Sequence, residues 1–392
     1  MQDRARPGEL FSLDMIEKFI GFDTTSRSSN LPLIHFVRDY LAGLGVDSVL
    51  TYDGERQKAN LLATIGPKDR PGVVLSGHTD IVPVDDQTWT SDPFRLARRD
   101  GKVFGRGVCD MKGFLAVATA FAPEFLKRDL KAPIHLAMSF DEEVGCLGVP
   151  LLIEDLVRRL PMPAACIVGE PSEMKVIRAH KGKIGGHVTV TGLPAHSGVA
   201  HQGVNAVEAA GEAIAFFKRL QRRLRDEGPH NADFEAPSYT TIQCCMVNGG
   251  TAVNIVAGHC TFDFDIRFLP GENPEDYVNE CKAFAARHVE PEMQAVSPET
   301  GFAWEKVPGA AALNTAAGAE ITRLAQKLSG TSGSTCVGFG TEAGHFQEAG
   351  MPTIICGPGS IDQAHKADEF IKLDQVARCE SFLWRLLDEV SA

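Results

Sequence analysis

Three acidic residues follow directly on an apolar run in this chain. IHLAMSF (Ile134–Phe140) leads without a break into Asp141, Glu142 and Glu143. Solvated acidic clusters sit in polar loops, whereas this one stands between a buried-strand pattern and VGCLG, so packing does not explain it. The same design recurs. GVVLSGHTD (Gly72–Asp80) is a β-branched strand pattern that ends in His78 and Asp80. In an extended segment, residues two apart lie on one face. Asp80 can therefore accept a ring N–H of His78 and leave the other ring nitrogen for a metal, the usual arrangement of a ligating histidine. CIVG (Cys166–Gly169) ends in Glu170, and TIIC (Thr353–Cys356) runs through GPGSIDQ to His365. Asp110 stands in the turn GRGVCDMKG ahead of the apolar stretch FLAVATAFAPEFL, where a carboxylate is also favoured simply by the helix dipole.

One histidine and one carboxylate per ion, plus a shared carboxylate, is a ligand set for a two-metal hydrolytic site. Such chemistry also needs a carboxylate that is not a ligand, to take a proton from water and pass it to the leaving amine. Neighbouring Glu142 and Glu143 can divide those tasks, because adjacent residues at a strand end point in different directions. Imidazole and carboxylate suit zinc, cobalt and manganese alike. Rival chemistries are absent: GFGTEAG lacks the spacing and lysine of a phosphate loop, and no GxSxG elbow is present.

The elements that must position these groups alternate strand and helix, as in an α/β sheet whose ligand sites lie beyond the strands' carboxyl ends. Helical periodicity covers Asp14–Leu44, broken by TTSRSSN, and returns at Thr315–Leu328. Residues 83–105 read as loop-rich, pinned down by Trp89, Pro93 and Phe94. Between residues 182 and 308 the character changes to a strand GHVTVT, a helix over Asn205–Leu224, strands over Tyr239–Val247 and Cys260–Phe268, and a helix over Glu275–Val289. That β-α-β-β-α-β order suits a ferredoxin-like insert. The expected domains are thus 1–181 with 309–392, and 182–308.

At 392 residues the chain is long enough for two cores. Its net charge of −12 argues against nucleic acid or an anionic membrane as partner. The start, MQDRARPGELFSLDMIEKFIGF, reads as an amphipathic helix without a signal-peptide apolar region. Ten scattered cysteines without CxxC spacing point to reduced thiols and a cytoplasmic protein.

SGHTDIVPVD, GRGVCDMKGF, SFDEEVGCLG, VGEPS, HKGKIGGHVTVTG, PAHSG, HQGVNAVE, GTEAG and CGPGSIDQAHKADEF span nearly the whole chain, and in that order it resembles the M20 metallopeptidase and deacylase family. The resemblance implies an α/β fold: a mixed-sheet, di-zinc aminopeptidase-like catalytic domain with an inserted ferredoxin-like lid and dimerisation domain. It implies two divalent ions, zinc or cobalt, one held by His78, Asp110 and Glu170 and the other by Asp110, Glu143 and His365. Asp110 bridges, Asp80 orients His78, and Glu142 is the general base and acid. His196 would reach the neighbouring subunit's site in a homodimer and stabilise the oxyanion. Arg267, aided by Asn254, would hold the substrate carboxylate, although Arg267 also reads as a surface residue paired with its acidic neighbours. Gly340 and Thr341 match a substrate loop, and Glu342 would meet a cationic substrate amine. A cis peptide between Asp110 and Met111 is a further family expectation. The implied substrate is an N-acyl amino acid, N2-acetyl-L-ornithine first. N-acetylcitrulline, N-succinyl-diaminopimelate, a small peptide and a non-catalytic binding role are the alternatives. The departures are Asp86 in place of glycine and Gly198-Val199-Ala200 after the lid histidine.

Overall fold

The computed structural model describes residues 10–235 and 237–392. The first nine residues of the expected amphipathic start lie outside them; from there the pattern yields two helices, Leu13–Ile20 and Leu31–Gly43. Strands β1 (Ser48–Tyr52), β2 (Ala59–Ile65), β3 (Val73–His78), β4 (Ala97–Arg99), β5 (Lys102–Phe104), β6 (Ile134–Ser139), β7 (Ala165–Pro171) and β8 (Val176–His180) follow. Next come β9 (Gly182–Thr191), β10 (Thr241–Gly249), β11 (His259–Phe268) and β12 (Gly301–Val307). The chain ends with β13 (Leu313–Asn314), β14 (Ser334–Val337), β15 (Thr353–Gly357), β16 (Phe370–Lys372) and the helix Leu373–Val390.

Two compact units result. One takes the chain up to His180, Leu313–Cys336 and Thr341–Ala392; the other is Lys181–Ala312 with Val337–Gly340. The return thus comes a few residues later than 309, and Val337–Gly340 goes with the second unit, because these four residues carry no pattern that assigns them.

The first unit is built on a mixed sheet in the order β1-β2-β6-β3-β7-β15-β8-β13, with β14 beside β8. Its centre is parallel, β6-β3-β7-β15, and the flanking pairs are antiparallel. Every residue of β3, β6, β7 and β15 is buried, which is why these strands read as continuous apolar runs rather than alternating ones. The helix Lys112–Ala120 lies against β3 and β7 and is buried on nearly every side. It can come that close because Gly77 and Gly169 present bare backbone. A Cβ at Gly77 would stand 2.2 Å from the Met111 methyl, and one at Gly169 2.0 Å from the Phe114 ring.

Two local expectations need correcting. The helix placed from Thr315 begins at Glu320, since Thr315 is tied to the sheet by N–H donation to the Arg178 carbonyl (2.9 Å) and Oγ1 donation to the Thr353 carbonyl (2.6 Å). The stretch 83–105 is not all loop: β4 and β5 form a three-stranded antiparallel sheet with β16. Three-residue strands carry too little alternation to be recognised.

In the second unit, antiparallel strands lie in the order β10-β11-β9-β12, with the helices Ala206–Glu227 and Pro274–Phe284 as the second layer. Strictly alternating β11 buries Phe262, Phe264, Ile266 and Phe268 and turns Asp263, Asp265 and Arg267 to the other face. The Asn205 side chain caps the long helix, accepting from the Val207 and Glu208 amides. Connectivity and order are those of a ferredoxin-like fold. Among the described residues, no helix is long and apolar enough to cross a membrane.

Gly169→Ala should force the Phe114 ring off the strand and cost about 1–3 kcal/mol, as overpacking of a full core does. Urea denaturation measures this; an unchanged midpoint would mean that the helix has room to retreat.

Candidate metal centre

The parallel centre of the sheet delivers the acidic and histidine groups to one edge. His78 is the last residue of β3, opposite Ser139 at the end of β6, and Glu170 lies at the end of β7. Asp110 occupies the turn ahead of the helix Lys112–Ala120, and the Asp110–Met111 peptide bond is cis. Glu142 and Glu143 sit in the turn after β6, which closes when the Gly145 and Cys146 amides donate to the Glu142 carbonyl. His365 lies in the segment after β15.

The Asp110 carboxylate splits its two oxygens. Oδ1 is 3.2 Å from His78 Nε2, which is itself 3.6 Å from Glu170 Oε1. Oδ2 is 3.4 Å from His365 Nε2, which is 3.1 Å from Glu143 Oε2. Donors about 2.0–2.1 Å from a tetrahedral ion are separated by roughly 3.3–3.4 Å, so both triads have the spacing of a cation's ligands. Each triad's donor atoms lie within 4.8 Å of one another. The other Glu143 oxygen, Oε1, is buried without a hydrogen-bond partner. An orphaned carboxylate oxygen beside two imidazoles fits a metal better than it fits packing. The donor set therefore suits two divalent ions sharing Asp110.

Electrostatics point the same way. Burial pushes the Glu142 carboxyl up to about 8, with Glu143, Asp80 and Asp110 adding to the shift. Burial and Asp110 likewise raise Glu143 and carry Glu170 well above the carboxylate range. His365 is drawn up to about 10 by its hydrogen bonds to Asp110 and Glu143. Burial opposes the charged form of His78, yet its surrounding carboxylates hold its pKa well above the ordinary value. Burial also opposes ionisation of Asp110, but the two imidazoles hold it far below the usual range. So crowded a set of acids calls for positive charge, which protons or cations can supply.

Asp80 plays a different part from the one its spacing implies. The His78 Nδ1 partner is the Asp80 backbone carbonyl, at 2.8 Å, while the carboxylate stays 3.6 Å away, beyond hydrogen-bond reach. That carboxylate accepts from Ser26 Oγ (2.8 Å) and from the Glu142 (3.0 Å) and Glu143 (3.2 Å) amides. One residue thus orients the histidine through its backbone and the paired glutamates through its side chain. Next door, Lys58 grips both Asp141 oxygens at 2.6 Å, holding a residue whose φ is +54°.

Glu342 cannot meet a substrate amine where it stands. Its side chain is fully buried and accepts from Ser76 Oγ at 2.7 Å and Ser139 Oγ at 2.5 Å, stapling β3 to β6. The sequence shows the charge but not that two serines face it. Thr341 is buried too, its hydroxyl 3.1 Å from His180 Nε2 and accepting from the Ala343 amide.

The remaining predicted residues belong to the second unit. His196 is exposed, its Nδ1 accepting the Gly198 amide, and the Ser197 amide donates to the Asn254 carbonyl, so His196 and Asn254 lie together. Arg267 donates to Asp265 Oδ1 at 2.9 Å, the surface pairing that its neighbours allow. Gly340 is packed against Ala310 and the Lys181 carbonyl. Asp86 has φ +57°, a left-handed conformation that favours glycine.

Glu369 escaped notice. Wholly buried, it receives the Gly107, Cys109 and Asp110 amides at 2.8–3.0 Å and pairs with Arg106 at 2.9 Å. It was in plain view within HKADEF, but nothing local marks it as the anion that the turn at 106–110 enfolds.

Residues 74–389 match peptidase family M20/M25/M40, and the chain belongs to that family. It is a metallo-amidohydrolase, a hydrolase with a candidate metal site. It is 35% identical over 362 residues to the acetylornithine deacetylase of Pasteurella multocida, covering 92% of this chain and 91% of that one. With the acetylornithine deacetylase of Proteus mirabilis it shares 33% identity over 370 residues, 93% and 92% of the two chains. Its fold is that of aminopeptidase PepT from Bacillus cereus, with a TM-score of 0.72, 20% identity, and 97% and 98% coverage.

The side-by-side glutamates should fail differently. Glu142→Gln is expected to lose about 10²–10⁴-fold in kcat with metal content intact, the range of general acid–base catalysis. Glu143→Gln should bind metal more weakly. Elemental analysis beside single-substrate kinetics reads both, and equal metal loss in the two variants would abolish the distinction.

Proposed function

We propose that this chain hydrolyses N2-acetyl-L-ornithine to L-ornithine and acetate, a step of arginine biosynthesis, with two zinc or cobalt ions per chain. The observation that carries the chemistry is Asp110, whose oxygens face two separate His–carboxylate pairs. The similarity to acetylornithine deacetylases over more than nine-tenths of the chain supports the substrate. Bound divalent ions supply an acidified water and a counter-charge for the developing oxyanion. Glu142, which belongs to neither donor triad, takes the proton from the attacking water and returns it to the leaving amine nitrogen. His78, Asp110, Glu143, Glu170 and His365 would hold the ions.

Kinetics on a panel of N-acyl amino acids test this reading. N2-Acetylornithine should give the highest kcat/KM, ahead of N-acetylcitrulline, N-acetylmethionine and N-succinyl-diaminopimelate, and chelation should abolish all turnover. Because Glu342 is engaged by Ser76 and Ser139, Glu342→Gln should lower turnover of acetylornithine and acetylmethionine by the same factor. A succinylated or peptide substrate turned over faster would move the enzyme elsewhere in the family.

The insert is proposed as lid and dimer interface, with His196 donating to the oxyanion in the partner's site and Arg267 and Asn254 meeting the substrate carboxylate. Its edge strand β10 favours this: among the described residues the strand is paired on one side only, and it leaves Met246 and Val247 57% and 58% exposed. Oxyanion donors must lie about 3 Å from the developing charge. Mixing His196→Ala with Glu142→Gln subunits should therefore restore activity in hybrid dimers. Absence of rescue after proven subunit exchange would make His196 a residue of its own chain's site, or of none.

A further inference from the structure

The two donor triads are built differently. His78 and Glu170 are residues of central strands, His78 paired with Ser139 and Glu170 just before Pro171, which pairs with Gly357. Glu143 and His365 lie in turns, and His365 is the least packed of the donors, its side chain 56% exposed and its φ +62°. A side chain so little buried needs something besides packing to hold it in register with Asp110.

A continuous set of hydrogen bonds does this. The Glu369 carboxylate spends Oε1 on the Cys109 and Asp110 amides and Oε2 on the Gly107 amide and Arg106 Nη1. Arg106, 1% exposed, lies over the Trp89 ring at 5.1 Å and passes its other terminal nitrogen to Gln87 Oε1. Gln87 accepts from Trp89 Nε1 (3.2 Å) and donates from Nε2 to the His365 carbonyl (3.0 Å). Four residues beyond His365 the chain returns to Glu369, and just before it Asp368 accepts from the Thr90 amide and hydroxyl at 2.9 Å. The loop that carries His365 is thereby clamped at both ends, and one clamp ends on the amide of Asp110.

We infer that Gln87, Arg106 and Glu369 are positioning residues that set the affinity of the second triad (Asp110, Glu143, His365) for its ion, through the separation of the Asp110 turn from the His365 loop. This rests on the two-ion reading above. The first triad shares only Asp110 with the bracket and is largely insulated from it. Partners behind ligating residues are worth about 10–100-fold in metal affinity.

Gln87→Leu, at a half-buried position, removes the acceptor for Arg106 and the donor to the His365 carbonyl. Arg106→Lys keeps the charge but loses the fork that bridges Glu369 and Gln87. Metal-depleted protein is titrated with Co(II) by calorimetry, and ions per chain are counted after desalting. Wild type should take two ions. Both variants should bind the second about 10–100-fold more weakly and the first within a factor of about two. If Arg106→Lys does not fold, Gln87→Leu alone decides. Unchanged affinity for the second ion, or equal weakening of both, overturns the inference while leaving the two-ion reading intact. A wild-type chain that takes up a single ion overturns that reading and the inference with it.

Discussion

The structure turns on one carboxylate, Asp110, which must face two histidines in opposite directions while three other acids crowd the same buried space. At an effective dielectric near 20, two like charges about 4 Å apart repel by roughly 4 kcal/mol. Glu142, Glu143 and Glu170 around Asp110 are therefore unfavourable unless positive charge lies among them. The imidazoles of His78 and His365 meet part of that demand, as their raised pKa values record. Divalent cations would meet it more fully. The rest of the first unit can be seen as the means of forcing those acids together.

Its main device is the parallel centre of the sheet. Four adjacent strands running in one direction bring their carboxyl ends to one edge, so residues from β3, β7 and the segments after β6 and β15 converge without long loops. The backbone also needs room to approach. Gly77 and Gly169 let the helix behind Asp110 lie directly on β3 and β7; a side chain at Gly77 would press on Met111, next to Asp110, and one at Gly169 on the Phe114 ring. Packing and chemistry are coupled through those two bare positions.

How far this could be read in advance depended on what each feature requires. Buried strands, their acidic ends and the strict alternation of β11 were legible because burial writes a period into the sequence. His78, Glu142, Glu143 and Glu170 were legible at strand ends, whereas the grouping with Asp110 and His365 rested on the family resemblance. What escaped depends on contacts remote in sequence. Asp80 shows an acid beside a histidine, and only the fold decides that its carbonyl meets the ring and its carboxylate meets Glu142 and Glu143. Glu342 shows a charge, and Ser76 and Ser139 turn it into a buried staple. The start of the helix at Glu320 turned on bonds from Thr315 to the sheet.

Strain is distributed along the same lines. Asp141, Cys146, His365 and Asp368 all have positive φ without being glycine, and all lie in the turns that present Glu142, Glu143 and His365. Such conformations cost about 1–3 kcal/mol each and persist only where the surroundings over-determine them. Here the restraints are visible: Lys58 on Asp141, the Thr90 bonds on Asp368, Gln87 on the His365 carbonyl. The strand-borne donors His78 and Glu170 are not among the positive-φ residues. Of the loop-borne donors His365 alone meets solvent, while Glu143 is buried almost as fully as His78 and Glu170. Within this unit the donor least held by packing is thus also the one most open to solvent.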